Sequence, residues 1–169
     1  GPEGAKAIAE ALGSGKAVLK ELNLRNNHIR PEGAKAIAEA LGSGKAVLKS
    51  IDLSSNNLAG ETSYIKATEV EGDSKEIGAK VMYQGREMTV SKGIDSDGEL
   101  KLMDPSGIQA LASALAGNAV LKTLDLSRNS LGKEGAIAIA DALKSGTAVL
   151  ETLDLSQNYL GKEGAIAIA

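Results

Sequence analysis

Asp95, Asp97 and Glu99 alternate in the stretch DSDGE, a spacing at which carboxylates can share a calcium ion. A twelve-residue calcium loop opening at Asp95 needs an acid at its last position, and Ser106 stands there. The Asp and Gly residues therefore favour a hairpin turn. GSGK, at residues 13–16 and again at 42–45, has the closing letters of a phosphate-cradling loop. Such a loop needs glycine where Glu10 and Glu39 stand and a hydroxyl where Ala17 and Ala46 stand, and it must lead into a helix instead of following one. A helix-to-strand turn with solvated Lys16 and Lys45 is the better reading. His28 is the one histidine, and with no cysteine it has no partner for a zinc site or a nucleophilic triad. The sequence thus predicts no catalytic residue, no metal site and no cofactor; an enzyme is not expected.

What remains is a surface for binding, and the composition narrows it. A net charge of −3 offers no general attraction to phosphate backbones or anionic lipid, so nucleic acid is not expected as a partner. No apolar run reaches the roughly 18 residues of a membrane span, so direct membrane insertion is not expected either. Zero cysteines, no signal-like segment and no Asn-x-Ser/Thr site favour an intracellular, reducing setting. With no Phe, no Trp and three Tyr, the core must be built from aliphatic side chains.

The elements that would present such a surface come from a repeat. PEGAKAIAEALGSGKAVLK at residues 2–20 returns letter for letter at 31–49, a period of 29, and Leu121 and Leu150 are also 29 apart. Four units carry L-x-x-L-x-L-x-x-N-x-L with an occasional Ile: Leu19 to Ile29, Leu48 to Leu58, Leu121 to Leu131 and Leu150 to Leu160. Alternation in LNL, IDL and LDL predicts short strands, with Asn23, Asp52, Asp125 and Asp154 facing out. Ala5, Ile8, Ala9 and Leu12, like Ile108, Leu111, Ala112 and Leu115, follow helical spacing and predict one buried stripe. Pro2 and Pro31 suit the first turn of a helix, and Glu3 and Glu32 suit its positive end. Asn27, Asn56, Asn129 and Asn158 fall at the bend after each strand, where a buried amide must be hydrogen-bonded.

Over about residues 1–60 and 105–169 this pattern resembles the leucine-rich repeat family, and its length and helices are similar to the ribonuclease-inhibitor-like class. The resemblance implies an α/β solenoid with parallel strands on a concave face and helices on a convex face, and an asparagine ladder at the four bends. It also implies a non-catalytic module that binds protein partners.

One stretch breaks the pattern. From Leu58 to Gly107 the chain runs 49 positions, against 4 from Ile29 to Gly33. The surplus emerges after one strand and before the next helix. Val81 and Tyr83, Met88 and Val90, and Leu100 and Leu102 alternate between turns at Gly85 and Gly98, with a further strand near residues 64–68. This predicts an inserted small antiparallel β lobe of three or four strands, short enough to close into a barrel and too small to stand without leaning on the repeats. The expected division is 1–60 and 105–169 for repeats, 61–104 for the lobe.

Stacked at about 4.8 Å, the four strands would align Asn23, Asp52, Asp125 and Asp154, flanked by Arg25, Ser54, Ser127 and Ser156. Three close carboxylates should disfavour one another's ionisation and draw a cationic partner. These eight residues, with Tyr83 and Arg86 of the lobe, are the expected partner-binding set. The alternatives are a spacer subunit of a large assembly and an engineered consensus scaffold, against which the irregular lobe argues. The absence of polar capping units predicts an excerpt of a longer array or an end covered by another subunit.

Overall fold

Leu22, Ile51, Leu124 and Leu153 are the central residues of four three-residue strands, β1 (Glu21–Asn23), β2 (Ser50–Asp52), β7 (Thr123–Asp125) and β8 (Thr152–Asp154), that pair in parallel in the order β1-β2-β7-β8. The computed structural model describes residues 1–145 and 148–169. Helices α1 (Pro2–Gly13), α2 (Arg30–Gly42), α3 (Ser106–Ala116), α4 (Gly132–Lys144) and α5 (Gly161–Ile168) form the second layer, each packing on its neighbour in chain order. Between β2 and β7 the chain makes a second sheet. It contains β3 (Ile65–Lys66), a 3-10 turn at Ala67–Glu69, β4 (Lys80–Tyr83), β5 (Arg86–Lys92) and β6 (Glu99–Met103).

The strand and helix layers share one aliphatic interior. Ile37, Leu48, Leu53, Leu58, Leu111 and Leu126 are all fully enclosed in it, at about 1.5–3 kcal/mol per large side chain. On α1, Ala5, Ala9 and Leu12 are buried and Ile8 is half-buried; on α3 the whole stripe Ile108, Leu111, Ala112 and Leu115 is buried. Pro2 and Pro31 lie in the first turns of α1 and α2, as their missing N–H allows.

The loops that turn from strand to helix reuse one backbone pattern. Positive φ recurs just before and just after the bend asparagine, at Asn26 and His28, Ser55 and Asn57, Arg128 and Ser130, Gln157 and Tyr159. A third left-handed residue follows at Arg30, Gly132 and Gly161. The unit at Leu48–Leu58 departs here, with the left-handed turn one place later at Gly60. That shift sends the chain off into the second sheet. Arg30 carries a side chain through a conformation that costs an L-residue about 1–2 kcal/mol, while its N–H makes the same bond (3.0 Å to the Asn56 carbonyl) that Gly132 makes to Asn158. Arg30→Gly is therefore expected to raise stability by up to about 1 kcal/mol, less whatever glycine adds to unfolded-chain entropy, and thermal melting reads it.

The second sheet is antiparallel with order β3-β6-β5-β4 and a register shift between Val90 and Lys92. Among the described residues β3 and β4 do not pair directly, but Glu71, just past the 3-10 turn, bridges Met82 of β4 through two backbone hydrogen bonds at 3.0 and 2.8 Å, so the sheet curls into a half-barrel without the full closure that its short strands allow. It has an apolar cluster of its own in Val70, Val81, Met88, Val90, Leu100 and Leu102. Met103, at the end of β6, instead enters the repeat interior. Polar contacts complete the attachment. The Arg86 guanidinium meets Glu32 at 3.2 Å, and the Asp104 N–H donates to the Ala59 carbonyl at 2.7 Å.

Candidate interaction site

On the side of the parallel sheet away from the helices, Asn23, Asp52, Asp125 and Asp154 occupy one register row, between the row of Glu21, Ser50, Thr123 and Thr152 and the following loops. The alternation that buries Ile51 and Leu124 leaves this row accessible: Asn23 and Asp154 are exposed, Asp52 and Asp125 half-buried. Each side chain folds onto its own chain two residues on. Asn23 Oδ1 accepts from the Arg25 N–H at 2.9 Å, Asp52 Oδ1 from Ser54 at 2.9 Å, Asp125 Oδ1 from Ser127 at 2.8 Å and Asp154 Oδ1 from Ser156 at 2.8 Å. This is a turn that Asp and Asn make readily, because the carboxylate or amide oxygen stands in for a backbone acceptor.

The electrostatic expectation needs correcting at Asp154. Its carboxyl is held below the ordinary aspartate value of 3.8, first by the Ser156 N–H, then by the Ser156 hydroxyl, with partial desolvation opposing. Mutual repulsion does not raise it, because hydrogen bonds to the charged form outweigh neighbours that face water. A depressed folded-state pKa stabilises the fold above the unfolded value, and that contribution is lost as pH falls through the lowered one. Carbon-detected NMR titration is expected to place the Asp154 midpoint below 3.8. A midpoint at or above it would restore the repulsion argument.

The flanking residues divide. Arg25 and Ser156 are exposed, whereas Ser54 is 1% and Ser127 8% exposed, closed over by a neighbouring unit on each side. The Ser54 hydroxyl donates to Asp52 at 2.6 Å. These two serines hold the carboxylates in place and offer little surface themselves. Tyr83 and Arg86 face one another across the β4–β5 turn; Tyr83 packs on the lobe cluster and Arg86 engages Glu32 through its guanidinium.

Behind the row runs a chain of amides. Asn129, wholly buried, accepts from the N–H groups of Asn56 and Leu58 at 2.9 and 3.2 Å, and its amide nitrogen lies 3.0–3.1 Å from the carbonyls of Leu53, Leu126 and Ser127. Asn56 and Asn158 repeat the arrangement toward their own preceding units. The loops of the first three units are thus each organised by an asparagine of the next. A family model described as Leucine Rich repeat matches residues 16–38, 117–140 and 148–169, and each matched segment carries one of these bends. These three segments carry leucine-rich repeats. No curated protein matches the chain.

Elsewhere in the chain, the chemistry weighed from sequence resolves into turns. Asp95 Oδ1 accepts from the N–H groups of Asp97 and Glu99 at 3.0 and 2.9 Å, closing a hairpin, and Glu99 pairs with Lys66. Ser14 and Ser43 cap the ends of α1 and α2, so the GSGK segments lie at helix C-termini, and His28 is an exposed loop residue. Among the described residues no cluster of three or more His, Asp or Glu could hold a metal ion, and no helix is long and apolar enough to cross a membrane.

Two features escaped the sequence reading. Asn118, buried, donates to the Leu41 carbonyl at 2.9 Å and accepts from Val120 and Leu121, tying two leucine-rich repeats together where lysine stands in the first two units. Its signal was that substitution. The other is a cleft of about 670 Å³ between the second sheet and the loops of the last two repeats. Glu61 sits at its inner edge, accepting from Ser91 at 3.3 Å and from Lys101 and Ser130 at 3.4 Å. No local pattern could have assembled it.

Proposed function

We propose that the chain is a protein-interaction module that meets its partner on the helix-free face of the parallel sheet, around Asn23, Arg25, Asp52, Asp125, Asp154 and Ser156, and on the adjoining second sheet around Tyr83 and Arg86. Leucine-rich repeats commonly mediate protein–protein interaction and generally serve as non-enzymatic modules. The observation that carries the reading is the register row: four polar side chains, three of them carboxylates, fixed by backbone N–H groups on a sheet face that no helix covers. Preset side chains lose little freedom on binding, and that loss is where much affinity otherwise goes. The partner is a protein presenting basic and hydrogen-bonding groups.

The same reading takes the units as ribonuclease-inhibitor-like and residues 61–104 as an inserted β-rich lobe. The 29-residue spacing, a helix in every unit and a separate apolar cluster for the second sheet support it.

The test replaces Asp52, Asp125 and Asp154 together by Asn, which keeps every Oδ1 acceptor and removes three charges. Partners captured by the native chain from its own cells are mapped by cross-linking. The triple variant is expected to lose at least about tenfold in affinity if several charge-assisted contacts go. An unchanged affinity together with cross-links confined to the helices would sink the proposal.

A further inference from the structure

We propose that the cleft between the second sheet and the loops of the last two repeat units binds a short extended segment of a partner protein in which an apolar or aromatic side chain stands beside carboxylates. The proposal rests on the protein-binding reading above but concerns a different surface. Three observations support it.

The first is shape. The cleft's volume of about 670 Å³ lies within the range of built ligand sites. Its walls come from two independent parts of the fold, β5 and β6 on one side and the loops at Ser130–Gly132 and Tyr159–Gly161 on the other.

The second is the apolar character of floor and rim. Val90 and Met103, 1% and 2% exposed, close the bottom. At the mouth Ile77 and Tyr159 are 72% and 82% exposed, and Tyr64 40%. The cleft thus gathers two of the chain's three tyrosines and one of its most exposed aliphatic side chains. Tyrosine gives large contact area with a polar tip at low entropic cost, which suits the centre of an interface. An apolar mouth that runs past the rim fits a chain passing through better than an enclosed small molecule.

The third is charge. Lys92, Lys101 and Lys133 line the cleft together with Glu61 and Glu134. The ammonium groups of Lys92 and Lys101 sit 4.8 and 5.1 Å from the centre of the Tyr64 ring. Lys101 is paired with Glu61 and Lys133 with Glu163. Among the described residues no carboxylate lies within ion-pairing distance of Lys92, which instead donates to the Tyr64 hydroxyl. Tyr64 therefore holds at the mouth a cation that Asp95 and Glu61 act on only from beyond pairing distance, and an incoming carboxylate meets it there. The adjacent apolar side chain then packs between Tyr159 and Ile77.

The absence of tryptophan makes the test direct, because excitation at long wavelength sees only a tryptophan-bearing probe. The probes are acetyl-Asp-Trp-Glu-Leu-amide and its neutral counterpart acetyl-Asn-Trp-Gln-Leu-amide, titrated by fluorescence anisotropy against the whole chain. The acidic peptide is expected to bind about fivefold more tightly at low salt, a preference that shrinks as salt screens it. Lys92→Gln is expected to abolish that preference and leave the neutral peptide unaffected. Tyr159→Ser, which matches Ser130 on the same left-handed backbone, is expected to weaken both peptides alike. Both residues are exposed, so melting curves should stay unchanged. Equal affinity for the two peptides, indifference to Lys92→Gln and Tyr159→Ser, or no saturable binding up to millimolar peptide would each overturn the proposal. The Asp52/Asp125/Asp154→Asn variant is expected to bind the acidic peptide as the native chain does; loss of binding there would move the site to the sheet face, against this proposal and in favour of the earlier one.

Discussion

Asn129→Ala is expected to destabilise the chain by about 3–5 kcal/mol, the largest effect of any single substitution outside the aliphatic interior. The side chain is wholly buried and satisfies two N–H groups and three carbonyls at 2.9–3.2 Å. Deleting it strands the Asn56 and Leu58 N–H groups where water cannot reach, at about 1–3 kcal/mol each, less what relaxation recovers, while the carbonyls of Leu53, Leu126 and Ser127 keep donors in Asn56, Asn158 and Ser55. Asn129→Asp is a sharper probe, since it keeps an acceptor for Asn56 and Leu58 but turns a negative oxygen toward three carbonyls. It is expected to be at least as damaging. Asn27 makes the comparison: it is exposed, and among the described residues its amide bonds only the carbonyls of Leu24 and Arg25, so Asn27→Ala should cost no more than about 1 kcal/mol. Urea denaturation measures all three. A loss below about 1 kcal/mol at Asn129 would mean that the ladder ornaments the loops without holding them.

Gly107→Ala is expected to cost about 2–4 kcal/mol, because a methyl group there would lie 2.7 Å from Pro31 Cα, 2.8 Å from the Leu58 carbonyl oxygen and 3.0 Å from Ala34 Cβ. Two of those three atoms are backbone and cannot swing aside. Gly107 lies in the first turn of α3 at the point where it crosses α2, so the clash would push two helices apart along the shared interior. Gly4 stands at the equivalent place in α1, where an added methyl group would meet nothing within 4 Å. Gly4→Ala should therefore show only the helix preference of alanine and stabilise by about 0.5–1 kcal/mol. Opposite signs for one chemical change at equivalent positions would establish that close helix approach, and not helix propensity, keeps glycine in this place. Equal shifts in melting temperature would refute it.

The repeat architecture was legible because its determinants are local. A period-two alternation across three residues, a helical stripe of small residues and an asparagine at the bend each act within a few positions, and the structure shows the parallel strands and helices that they predict. Strand register followed too, since units of one length stack residue on residue. The chemistry of the exposed row was harder to read. Viewed as a column of like charges, Asp52, Asp125 and Asp154 should repel; viewed as Asp-x-Ser turns, each carboxylate is absorbed by an N–H two residues on. At Asp154 the local bond dominates, because it is short and permanent while repulsion between units is screened by water. Ser54 and Ser127 were named from the same spacing, but their burial depends on flanking units at both sides, which no single unit displays. Least legible was the cleft, whose Tyr64 and Tyr159 stand 95 positions apart and meet only because the chain between β2 and β7 leans back over later loops.

The bond from the Asp104 N–H to the Ala59 carbonyl, 2.7 Å long, has a wider implication. It fastens the outgoing and returning strands of a long excursion so closely that β2 and β7 pair as though nothing lay between them. Closing a loop costs only about 0.6 kcal/mol for each doubling of its length. This corner therefore lets two chain ends held a hydrogen bond apart carry a long segment between them at a small entropic cost, while the parallel sheet continues beside it from β2 to β7.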